Sequence, residues 1–161
     1  MSYTVVDNFL PIELFDSLYE TLNNSHFPWY TNNNGVAYDG DIEDKYFIHT
    51  FYTDDTHNSD KFYALKPILD IIKPKALIRA KANLYTRNTN IIEHGRHTDF
   101  DYEHKAFILY LNNNDGFTRM DDGSIVDSVA NRGVFFNGGV LHNSTNCTNA
   151  LCRMNISINY F

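Results

Sequence analysis

Residues 152–160, CRMNISINY, alternate without a break. Cys152, Met154, Ile156, Ile158 and Tyr160 fall on one face of a strand, and Arg153, Asn155, Ser157 and Asn159 fall on the other. Residues 78–85 repeat the pattern, with Ile78, Ala80, Ala82 and Leu84 set against Arg79, Lys81, Asn83 and Tyr85. Two such strands constrain the fold strongly. Their apolar faces need a covering layer, while their polar faces are too rich in charge and donors to close into a filled core. A jelly roll that encloses a site meets both demands.

The rest of the chain fits that plan. Residues 106–112 are apolar on both faces and predict a central strand, and shorter strands follow near 124–129, 133–137 and 140–144. Upstream the period is helical: Ile12, Leu14, Phe15, Leu18, Tyr19 and Leu22 form one stripe behind Pro11, predicting a helix over 11–24. Phe62, Leu65, Ile68, Leu69 and Ile72 form another, with Ser59 as a candidate cap and Lys73-Pro74 as its end. At 161 residues this is one domain's worth of chain, and its 12 Phe and 11 Tyr favour sheet. The expectation is a single α+β, mainly β domain over 1–161, with helical support over about 1–75 and a β core over about 76–161.

Net charge is −7, and within residues 31–60 seven acids (Asp39, Asp41, Glu43, Asp44, Asp54, Asp55 and Asp60) face one cation, Lys45. Such a surface repels phosphates, which argues against nucleic acid and for a neutral or basic small molecule or peptide, or simply for a solvated loop. Cys147 and Cys152 are five apart, not a C-x-x-C pair, and no leader follows Met1, so reduced thiols in a cytoplasmic protein are expected. No apolar run is long enough to span a membrane.

Residues 93–104, EHGRHTDFDYEH, concentrate three histidines and four carboxylates. Within them, His97-Thr98-Asp99 sets two ligand types at i and i+2, a spacing that points both side chains the same way from a strand end. Two His and one carboxylate on one face of an ion, with the opposite face open, is the ligand set of non-haem ferrous oxygenases. The third ligand must be a distant His, and His142 qualifies by following Gly138-Gly139-Val140-Leu141. An H-x-D alone is weak. Arg153, eleven residues beyond His142, strengthens it: a cation on an inner strand face needs an anion, either a structural acid or the carboxylate of a ligand.

In this order and spacing the chain resembles the Fe(II)/2-oxoglutarate-dependent oxygenases, which carry H-x-D/E, a distal His and then R-x-S or a variant. Here these read His97-Thr98-Asp99, His142 and Arg153-Met154-Asn155. The resemblance covers about residues 76–161 and implies a double-stranded β-helix, the jelly-roll or cupin-like barrel, braced by N-terminal helices. It implies that His97, Asp99 and His142 bind Fe(II) and that Arg153 pairs with the distal carboxylate of 2-oxoglutarate. O₂ is then a second co-substrate, ascorbate an auxiliary reductant, and succinate and CO₂ the by-products. Tyr85 matches the co-substrate-binding Tyr of prolyl-hydroxylase-like members, and Tyr110-Leu111-Asn112 looks like their Y-L-N strand. Both tyrosines also suit plain sheet packing.

Two departures bear on the branch. Asp115-Gly116-Phe117-Thr118 stands where prolyl hydroxylases usually have G-G-x-T. Asn83-Leu84-Tyr85 and Arg153-Met154-Asn155-Ile156-Ser157 are similar to the N-x-Y and R-x-N-x-T of alkylation-repair demethylases, with Asn83 and Asn155 as further co-substrate contacts, but Asn159 replaces that branch's second Arg. The prolyl-hydroxylase-like branch, acting on a peptidyl or small-molecule substrate, is the preferred relative. A cupin-type binding protein is the alternative from another class, although no H-x-H occurs in the chain. Substrate choice is expected from residues 30–58 and 87–96, with Phe27-Pro28-Trp29-Tyr30 as a candidate aromatic wall and Asp101 at the rim.

Overall fold

The computed structural model describes residues 3–32 and 46–161. The acidic run at 39–45 lies outside the described residues.

Among the described residues, eleven strands build two antiparallel sheets: β1 (Tyr3–Val6), β2 (Tyr30–Asn32), β3 (Tyr46–Thr53), β4 (Thr56–His57), β5 (Leu77–Thr86), β6 (Lys105–Tyr110), β7 (Phe117–Arg119), β8 (Ile125–Asp127), β9 (Gly133–Asn137), β10 (Asn143–Ser144) and β11 (Cys152–Tyr160). The major sheet runs β1-β9-β6-β11-β5-β3-β2, with β4 attached to β3, and the minor sheet runs β10-β7-β8. The two alternating segments are neighbours: β11 pairs with β5 on one side and β6 on the other, with Arg153 opposite Tyr85 and Asn155 opposite Asn83.

That register assigns the faces. Ala80, Ala82, Met154, Ile156 and Ile158 join Phe107 and Leu109 in one core, covered by α1 (Ile12–Leu22) through Phe15, Leu18 and Leu22 and by α2 (Lys66–Ile72) through Ile68. The opposite face turns toward the minor sheet, and there Ala106, Ile108 and Tyr110 of β6 and Val134 and Phe136 of β9 pack with Met120 and Val126. The polar residues of β5 and β11 share this second face but lie outside its apolar cluster, and there the sheets part to leave a cavity of about 580 Å³. A pair of sheets around a polar cavity is the expected jelly roll.

Several boundaries differ from the sequence expectation. Residues 1–75 are not only helical support, because β1, β2 and β3 extend the major sheet at both edges. β3 opens on three successive apolar residues, Tyr46, Phe47 and Ile48, and its pairing with β5 shifts register between Thr50 and Tyr52, so it carries no clean alternation to read. The second helix begins as a 3-10 turn, Phe62–Leu65, and ends at Lys73 with φ 46°, where Pro74 prevents continuation. The strand expected at 140–144 is two residues long, because the glycine turn consumes its start, and β7 went unforeseen. No helix among the described residues is long and apolar enough to cross a membrane. Cys147 and Cys152 are free thiols.

Candidate active site

His97 and His142 form an isolated antiparallel bridge, each donating its main-chain N–H to the other's carbonyl at 2.9 and 3.0 Å. Asp99 N donates to Gly138 O at 2.9 Å, so three main-chain bonds tie the H-x-D segment to the glycine turn. The candidate ligand atoms of His97, Asp99 and His142 all lie within 4.8 Å of one another. Each imidazole donates from Nδ1 to a carbonyl, Gly95 O at 3.2 Å and Val140 O at 3.0 Å. A carbonyl can only accept, so Nε2 keeps its lone pair for the site.

Asp99 is held at both oxygens. Arg79 donates to Oδ1 at 2.6 Å and Asn159 Nδ2 to Oδ2 at 2.9 Å, while the side-chain oxygen of Asn159 accepts from the same guanidinium. Burial alone would raise the carboxyl's pKa; Arg79, His142, Lys81 and Asn159 outweigh it and hold the group at about 2. Burial and the neighbouring His142 lower His97, which favours a neutral His97 imidazole beside the ionised Asp99 carboxylate. Behind it, Asn159 also meets His104 Nε2 at 3.0 Å, and His104 in turn abuts Gly138, where an added Cβ would stand 2.2 Å from that nitrogen.

At the far end of the inner face lies Arg153, the largest fully buried side chain among the described residues. Its guanidinium sits 5.3 Å from the Tyr85 ring and 5.4 Å from the Tyr110 ring. It donates to Thr145 O and Thr118 Oγ1, both at 3.1 Å, and Nε has no partner. No carboxylate among the described residues lies within ion-pair reach of it, so the structural salt bridge that could have explained Arg153 is not formed. Arg153 and Tyr110 stand one layer behind the cavity wall, whereas Asn83, Tyr85, Thr118 and Asn155 form the wall itself. Tyr110 also donates to Thr118 Oγ1, at 2.7 Å. That hydroxyl accepts from both groups behind it, which leaves its own proton to offer into the cavity. Thr118 lies in β7, at the end of the Asp115–Thr118 segment that departs from G-G-x-T, and sequence alone gives no reason to assign it a role.

Other expectations fare differently. Asn83 Nδ2 donates to Asn155 Oδ1 at 2.8 Å, and Asn83 Oδ1 is left without a partner. His94, from the same histidine-rich segment, is buried, 5.1 Å from the Tyr85 ring and bonded through Nδ1 to Ser144 Oγ at 2.8 Å. Burial, with Arg153 and His97 nearby, lowers its pKa to about 3. Glu93 pairs with Arg119 at 2.6 Å, and Asp101 is exposed and does not line the cavity. Phe27 and Trp29 pack in the core, leaving only Tyr30 exposed. From residues 30–58, Asn32, Tyr46, Ile48, Thr50 and Thr53 line the cavity, whereas no residue of 87–96 does.

No family model and no curated protein matches the sequence. Solved structures do. A Pseudomonas putida prolyl-4-hydroxylase superposes with a TM-score of 0.69 at 18% identity, over 99% of this chain and 92% of that one. The chain shares the fold of that prolyl-4-hydroxylase. A prolyl hydroxylase of Trichoplax adhaerens, in complex with a hypoxia inducible factor oxygen degradation domain peptide fragment, gives 0.69 at 14%, covering 99% and 83%. The non-haem α-ketoglutarate-dependent epimerase SnoN of nogalamycin biosynthesis gives 0.67 at 14%, covering 99% and 77%. One architecture thus serves hydroxylation and epimerisation, and at these identities the likeness is one of fold.

Proposed function

We propose that the chain is an Fe(II)- and 2-oxoglutarate-dependent dioxygenase. The observation that carries the reading is the coexistence, at one cavity, of the His97–Asp99–His142 cluster and, behind the wall, a buried Arg153 with no acid among the described residues to pair with. The donor set suits ferrous iron: two imidazole nitrogens and one carboxylate, each fixed by a second hydrogen bond. The far end suits a carboxylate, since Arg153 Nε is orphaned and Thr118 has a proton to give. A ferrous ion with bound 2-oxoglutarate supplies dioxygen activation coupled to release of succinate and CO₂, with oxidation of a substrate C–H bond.

The chain's own residues bind and orient. His97, Asp99 and His142 would hold the ion, with Arg79 and Asn159 fixing the carboxylate. Thr118 and Arg153 would receive the distal carboxylate of 2-oxoglutarate, with Tyr85, Tyr110, Asn83 and Asn155 shaping the channel between. No general base is needed. A peptide or small-molecule substrate is part of the proposal, supported by the peptide-bound neighbour, as are ascorbate as auxiliary reductant and, from the free thiols, a cytoplasmic location. Anaerobic addition of Fe(II) and 2-oxoglutarate should produce the visible charge-transfer band of the chelate. Wild-type protein without the band would overturn the reading, and a band that persists in His97→Ala, Asp99→Ala or Arg153→Ala would remove that residue from its role.

A further inference from the structure

Lys81 is a cation the proposed chemistry does not use. It lies on the inner face of β5, two residues from Asn83 and two from Arg79, and lines the cavity. No carboxylate or hydrogen-bond acceptor among the described residues pairs with its ammonium, which stands 5.9 Å from the centre of the Tyr46 ring. Arg79, by contrast, is engaged by Asp99 and Asn159. Burial, with Arg79 alongside, lowers the Lys81 pKa to about 8 despite Asp99. An ammonium kept in that setting without a partner is costly unless an anion arrives.

Its neighbours form a receptor for one. Thr50 on β3 and Ser157 on β11 are the cross-strand partners of Lys81 on either side, and all three line the cavity. Ser157 Oγ is buried and has no hydrogen-bond partner. A hydroxyl, an ammonium and a hydroxyl thus stand in a row across three adjacent strands, between the metal-ligand end and Arg153. On the oxygenase reading, the negative charges of Asp99 and 2-oxoglutarate are already exceeded by the positive charges of a ferrous ion, Arg153 and Arg79, which leaves Lys81 without an anion among the described residues. We propose that Thr50, Lys81 and Ser157 bind a carboxylate of the primary substrate, so that the substrate is a small carboxylic acid rather than a neutral prolyl peptide.

Acetate is the probe, with acetamide as its uncharged match. Both are titrated at constant ionic strength into the full chain, metal-free and again with zinc(II) and saturating 2-oxoglutarate, and binding is read by thermal shift and calorimetry. Acetate should bind saturably and acetamide should not. Lys81→Met should weaken acetate about tenfold or more, whereas Lys81→Arg should keep it within about threefold. The affinity for 2-oxoglutarate should be unchanged in both variants. Ser157→Ala and Thr50→Val, which keep the cation, should each weaken acetate about threefold and serve if Lys81→Met does not fold. Equal binding of acetate and acetamide, retention of acetate by Lys81→Met, or no effect of the two hydroxyl variants overturns the proposal. So does a parallel tenfold loss of 2-oxoglutarate affinity, which would make Lys81 a co-substrate residue. A missing charge-transfer band in wild type defeats the oxygenase reading separately, since the metal-free acetate titration still decides Lys81.

Discussion

Asp99 stays ionised at ordinary pH because Arg79 and Asn159 occupy both of its oxygens, and this makes Arg79 as consequential as a ligand. The folded carboxyl titrates at about 2, below its ordinary 3.8. Its contribution to stability is therefore complete above the unfolded value and is lost as pH falls from about 4 toward 2. Arg79→Met should raise the folded pKa, shift acid unfolding of the metal-free protein to higher pH, and cost about 1.5–3 kcal/mol at neutrality. A pH titration followed by circular dichroism checks both; an unshifted acid limb would show that Arg79 does not hold Asp99. The convergence of His97, Asp99 and His142 and the inward placement of Arg153 were legible in sequence, because spacing and chemical type together mark those positions. Arg79, Thr118 and Lys81 were not, since their significance depends on which side chain stands across the strand.

At the level of elements, β11 is the centre of the molecule: one face carries core residues and the other the cavity floor. Ile156 is fully buried among Ala82, Leu109 and the helices' side chains. Ile156→Ala should cost about 2–5 kcal/mol by leaving a cavity in a layer that cannot collapse. Urea unfolding measures it, and a loss below about 1 kcal/mol would mean the layer repacks. The period-two pattern of β5 and β11 was readable without coordinates, and so was the amphipathic stripe of α1. β7 and β10 are two or three residues long and carry no period, so their pairing depends on contacts far away in sequence.

Across the whole molecule, the proposed metal would tie the loop before β6 to the turn after β9. An ion bound only by the folded state stabilises it by mass action, about 2.7 kcal/mol at a hundredfold excess over its dissociation constant. Manganese(II) or zinc(II) should therefore raise the melting temperature of wild type, EDTA should reverse the rise, and Asp99→Ala should abolish it. A metal-induced rise that survives in Asp99→Ala would place the ion elsewhere. The Gly138–His104 contact has a consequence for descent. A side chain at 138 collides with His104, and His104 reaches Asp99 through Asn159. A lineage can add bulk at 138 only after His104 has already become smaller. The order of those two substitutions is thus restricted, and the pair should be inherited together.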